Sequence, residues 1–158
     1  MSQIGRRSIS QQRILLIYLW IIMTGLFLQG IGSLILRLSP ELEAVTPPML
    51  AGILLAHIPH AVLHIAWGAL GLLLLATLRT SLARILLALS FGIFYTSLAI
   101  YGTIDSHVLG LHLAPSENAF HWIVGPLTLG LGLVAWYRFF HTASTSKKKI
   151  SSPRSGVI

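Results

Sequence analysis

The stretch "AHIPHAVLHIAWGALG", residues 56–71, sets His57, His60 and His64 in a run that is otherwise almost wholly apolar. A fourth histidine, His121, follows an acid, Glu117, in the apolar stretch "SENAFHWIVG". His60 and His64 stand at i and i+4, the helical spacing that brings two imidazoles to one metal ion. His121 or Glu117 could supply a third ligand, with His57 as an additional one. Imidazole and carboxylate without thiolate suit zinc, and copper or iron are compatible. The zinc-protease helix motif needs Glu directly after its first histidine, and Ala61 stands there. A tetrapyrrole is the second chemistry open to these residues. Haem or chlorophyll takes axial histidines from helices, with glycine making room for the ring. His64 and His121, with Gly68 and Gly125, fit that pattern. A proton or ion relay through His and Glu is the third. The plainest reading is structural, each histidine hydrogen-bonding across a bundle for about 1 kcal/mol or less.

The elements that must position them are four apolar runs, at 14–36, 49–78, 85–104 and 119–140. Each has roughly the 20 residues that a helix needs to cross about 30 Å of hydrocarbon. The chain of 158 residues is 54% hydrophobic and 9% charged, too little charge to clothe a soluble domain. The spacing therefore predicts an all-α, four-helix transmembrane bundle over 14–140. A basic segment at 1–13 precedes it, and a basic, Ser-rich, disordered tail at 141–158 follows. The run at 14–36 is too long for a signal peptide and has no small-residue cleavage site, so it is expected to stay as an anchor. With no cysteine in the chain, disulfides, iron–sulfur clusters and thiolate sites are excluded. The sequence has no glycine-rich phosphate loop, nucleophile elbow or enzyme-type carboxylate pair, and it lacks the repeated histidine boxes of membrane desaturases. Catalysis is not the leading expectation.

The net charge of +7 points to lipid rather than nucleic acid, because the cations sit at the ends of apolar runs and in the tails. Arg6, Arg7, Arg13, Arg79, Arg84, Arg138, Lys147, Lys148, Lys149 and Arg154 fall on one side of a four-span topology. Arg37 and all four acids, Glu41, Glu43, Asp105 and Glu117, fall on the other. The positive-inside rule then predicts both termini in the cytoplasm. His64 would lie about 22 Å from Arg79 along its helix and His121 about 25 Å from Arg138, at matched depth in the outer half of the bilayer.

Helical geometry at about 100° per residue gathers His57, His60, His64, Gly68 and Gly71 within roughly 80° of arc. Glu117, His121, Gly125, Thr128 and Gly132 share a similar arc on the last helix. Small residues mark faces where membrane helices meet, so both histidine stripes are expected to face inward. The first helix offers Tyr18, Gly25, Gln29 and Gly32. The third offers either Ser90-Phe94-Ser97-Tyr101 or Gly92-Thr96-Ala99-Thr103. Proline at 59 is expected to kink the second helix and free the carbonyl of Leu55. His107 and His112 fall in a flexible connecting segment on the same outer side; they could cap the site, and the plainer reading is that they are solvated. "HAVLHIAWGALGLLL" aligns without gaps on "ENAFHWIVGPLTLGL", matching His64 to His121 and Gly68 to Gly125. This weak repeat is consistent with two related helical hairpins.

These pieces resemble a bacterial four-helix membrane family of unknown function, domain of unknown function 4383. The resemblance spans about residues 20 to 138 and lies in "HAVLHIAWGALGLL", "GIFYTSLAIYG" and "LAPSENAFHWIVGPLTLGL". It implies the four-helix architecture and singles out His60, His64, Gly68, Gly71, Glu117, Asn118 and His121. His57 departs from the family pattern, and the resemblance brings no activity. The expectation is a small multi-pass protein of an inner or thylakoid-type membrane, holding a metal or tetrapyrrole at an outward-facing His/Glu cluster. The alternative is a structural accessory subunit of a larger membrane complex, or a homo-oligomer, without a cofactor of its own.

Overall fold

The computed structural model describes residues 3–47, 56–107 and 110–150. The described residues form five helices and no strand: α1 (Gln3–Leu38), a short α2 (Pro40–Val45), α3 (Ile58–Thr77), α4 (Ser81–Ile104) and α5 (Pro115–Ile150). Four segments are long and apolar enough to cross a bilayer, at Gln12–Leu38, Ile58–Thr77, Ser81–Ile104 and Pro115–His141. The chain is an all-α four-helix bundle with the architecture of an integral membrane protein. Its outer surface is studded with exposed Ile, Leu, Val, Phe and Trp side chains, as a lipid-facing surface requires.

The element bounds depart from expectation most at the two ends of the bundle. Helix α1 begins at Gln3 rather than 14, and α5 runs to Ile150 rather than ending at 140. The basic ends of the chain are therefore helical through residue 150, where a disordered tail is expected from 141. No glycine or proline stands between 133 and 152 to stop the last helix. The second run, expected over 49–78, is helical from Ile58, and its expected start falls outside the described residues. Proline 59 does not kink that helix. It sits in the first turn, where its missing N–H has no intrahelical acceptor to lose.

The four long helices pack as two hairpins, α1 with α3 and α4 with α5, each closed by glycine. A Cβ on Gly68 of α3 would lie 2.6 Å from the Phe27 amide nitrogen of α1. One on Gly125 of α5 would lie 2.6 Å from the Thr96 nitrogen of α4. Gly30 and Gly92 approach their partner helices as closely. Lipid supplies no hydrophobic drive, so backbone-to-backbone contact of this kind is what holds such helices together. Gly25 and Gly32, expected on the packing stripe of α1, face open space. Gly30 does that work.

Between the hairpins lies a layer of rings. Trp67 of α3 packs on Phe91 and Phe94 of α4 at 5.7 and 5.3 Å between centroids. Phe91 stacks on Tyr95 at 4.2 Å. On the other flank Thr128 of α5 donates its hydroxyl to the Val124 carbonyl at 2.6 Å. Its oxygen therefore accepts from Tyr18 of α1, also at 2.6 Å.

At the histidine end the connections are tied down. Arg37 pairs with Glu43 at 2.8 Å and donates to the Ala56 carbonyl at 3.3 Å, clamping the approach to α3. The described residues of the α4–α5 connection, a segment expected to be flexible, are anchored. Leu111 and Leu113 are buried against Leu98, and the Leu113 amide donates to the Ser106 carbonyl at 2.8 Å.

Substituting Gly125→Leu is expected to destabilise the bundle by about 1–3 kcal/mol or abolish folding, since bulk forced into a closed contact must displace backbone. Gly130→Ala, with nothing within 4 Å of its Cβ position, is expected to be neutral or slightly stabilising by helix propensity. Melting of the two variants in detergent checks the contrast.

Candidate metal centre

The centre is assembled from the hairpin geometry. Gly68 closes α3 onto α1, and His64, one turn earlier, faces the seam between hairpins, with His60 one turn beyond it. Gly125 closes α5 onto α4, and His121, one turn earlier, meets the other two from the opposite side. All three histidines are buried, His60 and His121 fully and His64 to 3% exposure. Ring centroids stand 4.4 Å apart for His60–His64, 5.2 Å for His60–His121 and 6.0 Å for His64–His121. Each ring offers a nitrogen such that all three atoms lie within 4.8 Å of one another.

The surrounding polar groups orient the rings. Gln29 of α1 donates its amide N–H to the Ser33 hydroxyl at 3.2 Å, which turns its carbonyl oxygen toward α3. That oxygen is in short contact with His64 Nδ1, so Nδ1 carries the proton and donates. His64 Nε2 is left as the lone-pair nitrogen, and it is buried without a hydrogen-bond partner. Glu117 plays two parts. Its Oε2 accepts from the Ala114 amide at 2.9 Å, the reach-back that caps the first turn of a helix. Its Oε1 lies 3.4 Å from His60 Nδ1, at ion-pair distance but not aligned for a hydrogen bond. The remaining nitrogens, His60 Nε2 and both of His121, are buried and unpartnered.

In a lipid-immersed bundle this is an unusual concentration of unanswered polarity. Each buried polar atom left without a partner costs on the order of 1–3 kcal/mol. Ligation of a metal ion by imidazole, with the opposite ring nitrogen held by a carboxylate or amide, is a familiar resolution. The rings here sit close enough for an ion. A tetrapyrrole between His64 and His121 would have to occupy the place of His60, which touches both.

A cavity of about 330 Å³ abuts the centre between α1 and α5. Gln29, His64, Glu117 and His121 form its polar side, and Leu26, Phe120 and Ile123 contribute apolar wall. On its other side His64 and His121 meet the ring of Tyr95 at 6.0 and 5.2 Å between centroids.

Of the residues singled out by sequence, His60, His64, His121 and Glu117 come together. Gly68 and Gly125 lie beside them as helix contacts rather than as space for a cofactor ring. His57 is not part of the cluster. It occupies the N-cap position of α3 with extended ψ of 148°, and its side chain is exposed, because the helix whose arc would have aligned it starts one residue later. Tyr95 lies on neither expected face of its helix. The i, i+4, i+7 set Phe91, Tyr95 and Leu98, flanking Gly92, carried the missing signal. Asn118, at the helix start, donates to the Ala99 carbonyl and Thr103 hydroxyl at 3.3 and 3.1 Å, pinning α5 to α4.

The chain matches no protein-family model, no curated protein and no solved structure.

Replacing Gln29 by Leu leaves the His64 Nδ1 proton without its acceptor. The expected loss is about 1 kcal/mol of stability, the scale of a single interhelical hydrogen bond in membrane proteins. Gln29→Glu, which retains an acceptor at that place, is expected to recover most of it. Unfolding in a denaturing-detergent titration measures both.

Proposed function

We propose that this protein is a membrane-embedded metal-binding protein whose ligands are His60, His64 and His121. The observation that carries the reading is the convergence of three buried imidazoles with unpartnered nitrogens within 4.8 Å of one another. Imidazole donors without thiolate favour a divalent ion of the zinc type. Gln29 and Glu117 act as orienting partners, each addressing the Nδ1 of one ligand, so that Nε2 of His64 and of His60 is presented inward. The tetrahedral site of such an ion keeps a fourth position. The cavity beside His64 and His121 gives that position a lateral, largely apolar surrounding.

In this reading the protein lies in a bacterial inner membrane or one of thylakoid type, with both termini cytoplasmic. In the sequence, ten of the eleven cations precede the first apolar run, link the second to the third or fall at or beyond the end of the fourth, and Arg37, at the histidine end, is matched by Glu43. By the positive-inside rule the metal centre faces the outer half of the bilayer.

The test is metal content after dialysis against a mild competing chelator, on protein purified in detergent without a polyhistidine tag. One tightly held ion per chain is expected, with Co²⁺ substitution giving the intense visible bands of a tetrahedral site. His64→Ala and His121→Ala are each expected to lose it while the bundle still folds. Gln29→Leu and Glu117→Gln are expected to weaken affinity about 10–100-fold, the usual effect of losing a partner behind a ligand. A wild-type chain that retains no ion under these conditions overturns the proposal in favour of a structural subunit.

A further inference from the structure

A second group of histidines stands at the same end of the bundle, outside the buried centre. His107 and His112 are both exposed. Their Nδ1 atoms are 3.4 Å apart and their ring centroids 4.7 Å apart. The ring of His57, also exposed, meets that of His112 edge-on at 5.8 Å. The backbone beneath the pair is held in place. Asp105 Oδ1 accepts the His107 amide at 2.8 Å, and Leu111 and Leu113, on either side of His112, are only 7% and 3% exposed. The Ser106–Leu113 hydrogen bond at 2.8 Å joins the two arms that carry the histidines.

We propose that His107 and His112, with His57 as a third donor, form a surface site for a divalent ion of the zinc type, and that the buried centre is loaded through it. The geometry argues for the site. Two imidazole nitrogens on one tetrahedral zinc, each about 2.0–2.1 Å from the metal, stand about 3.3–3.4 Å apart. The two Nδ1 atoms are already at that separation. An exposed pair gains only a hydrogen bond that water would equally supply, so stability gives little reason to hold two tilted imidazoles together there. Anchoring by Leu111 and Leu113 means that little ordering remains when an ion binds, which favours affinity.

Position argues for the loading role. His57 precedes His60 by three residues, about 4.5 Å along the axis of α3, and its ring meets that of His112. It thus stands between the exposed histidines and the buried ones. Imidazoles at successive levels let an ion exchange one ligand at a time instead of crossing hydrocarbon bare. Asp105, next to the pair, adds a negative charge that raises the local concentration of cations. The surface site stands on its own geometry; the loading role rests on the buried centre being a metal site.

The experiment uses the full chain in lipid nanodiscs, stripped with chelator, free of any polyhistidine tag, and titrated with Co²⁺ and Zn²⁺. Two ions per chain of distinct affinity are expected. His107→Ala/His112→Ala is expected to lose the weaker ion, keep the tighter one and fill it at least tenfold more slowly in stopped flow. His64→Ala/His121→Ala is expected to lose the tighter ion and keep the weaker. Retention of both ions by His107→Ala/His112→Ala overturns the surface site. Loss of the weaker ion with unchanged loading speed overturns the loading role alone. Retention of both ions by His64→Ala/His121→Ala overturns the buried centre and, with it, the loading role. The surface site is then decided by the first variant.

Discussion

A buried imidazole has two ring nitrogens, and in hydrocarbon there is no water to satisfy either. That constraint governs this bundle. Three histidines meet in one seam, and the protein answers one side of two rings, with Gln29 behind His64 and Glu117 beside His60. The inward nitrogens have only one another. Apolar residues of similar volume would fill the same seam without leaving polar atoms unanswered, so in the proposed reading the three imidazoles are there to bind something together. A single divalent ion satisfies all three inward nitrogens at once.

The architecture divides the work between two kinds of contact. Glycines at Gly30, Gly68, Gly92 and Gly125 bring helices together backbone to backbone within each hairpin. Large rings keep the hairpins apart from each other. Trp67, Phe91, Phe94 and Tyr95 fill most of that gap, and the histidines continue the same layer toward the end where α3 and α5 begin. A bundle closed by glycine on every side would have no room for three imidazoles in its interior. One packed only by rings would have no fixed hairpins to align them. The Tyr18–Thr128 hydrogen bond fastens the hairpins on the remaining flank.

Much of this was legible in the sequence because membrane helices obey few rules. Length and apolarity mark the four spans, and the i, i+4 and i+7 spacing of His60, His64, Gly68 and Gly71 marks a face. The His-x-x-x-Gly match between the second and fourth helices marks equivalent places in two hairpins. What periodicity does not carry is where a helix begins. His57 falls on the right arc of an ideal helix, yet α3 starts at Ile58 with Pro59 in its first turn, so His57 is left outside. Periodicity also does not distinguish glycines that touch a partner from glycines that face open space, which is why Gly30 rather than Gly25 or Gly32 closes the first hairpin. Gln29 was visible as a polar residue on the right stripe of α1, but its role depends on the Ser33 contact that turns its carbonyl, a tertiary detail. Tyr95 was hidden because its helix is apolar on several sides and neither candidate stripe included it. The anchoring of the segment around His107 and His112 depends on Leu111 and Leu113 reaching Leu98 of α4, a packing contact that no local signal announces.

The most direct test of the central claim is X-ray absorption at the zinc edge on the zinc-loaded chain, washed so that only tightly held metal remains. The account predicts a four-coordinate ion with three imidazole nitrogens at about 2.0–2.1 Å, their multiple-scattering signature removed stepwise by substituting His60, His64 and His121. A chain that holds no tight zinc, or whose zinc has a shell of light oxygen donors without imidazole scattering, contradicts it.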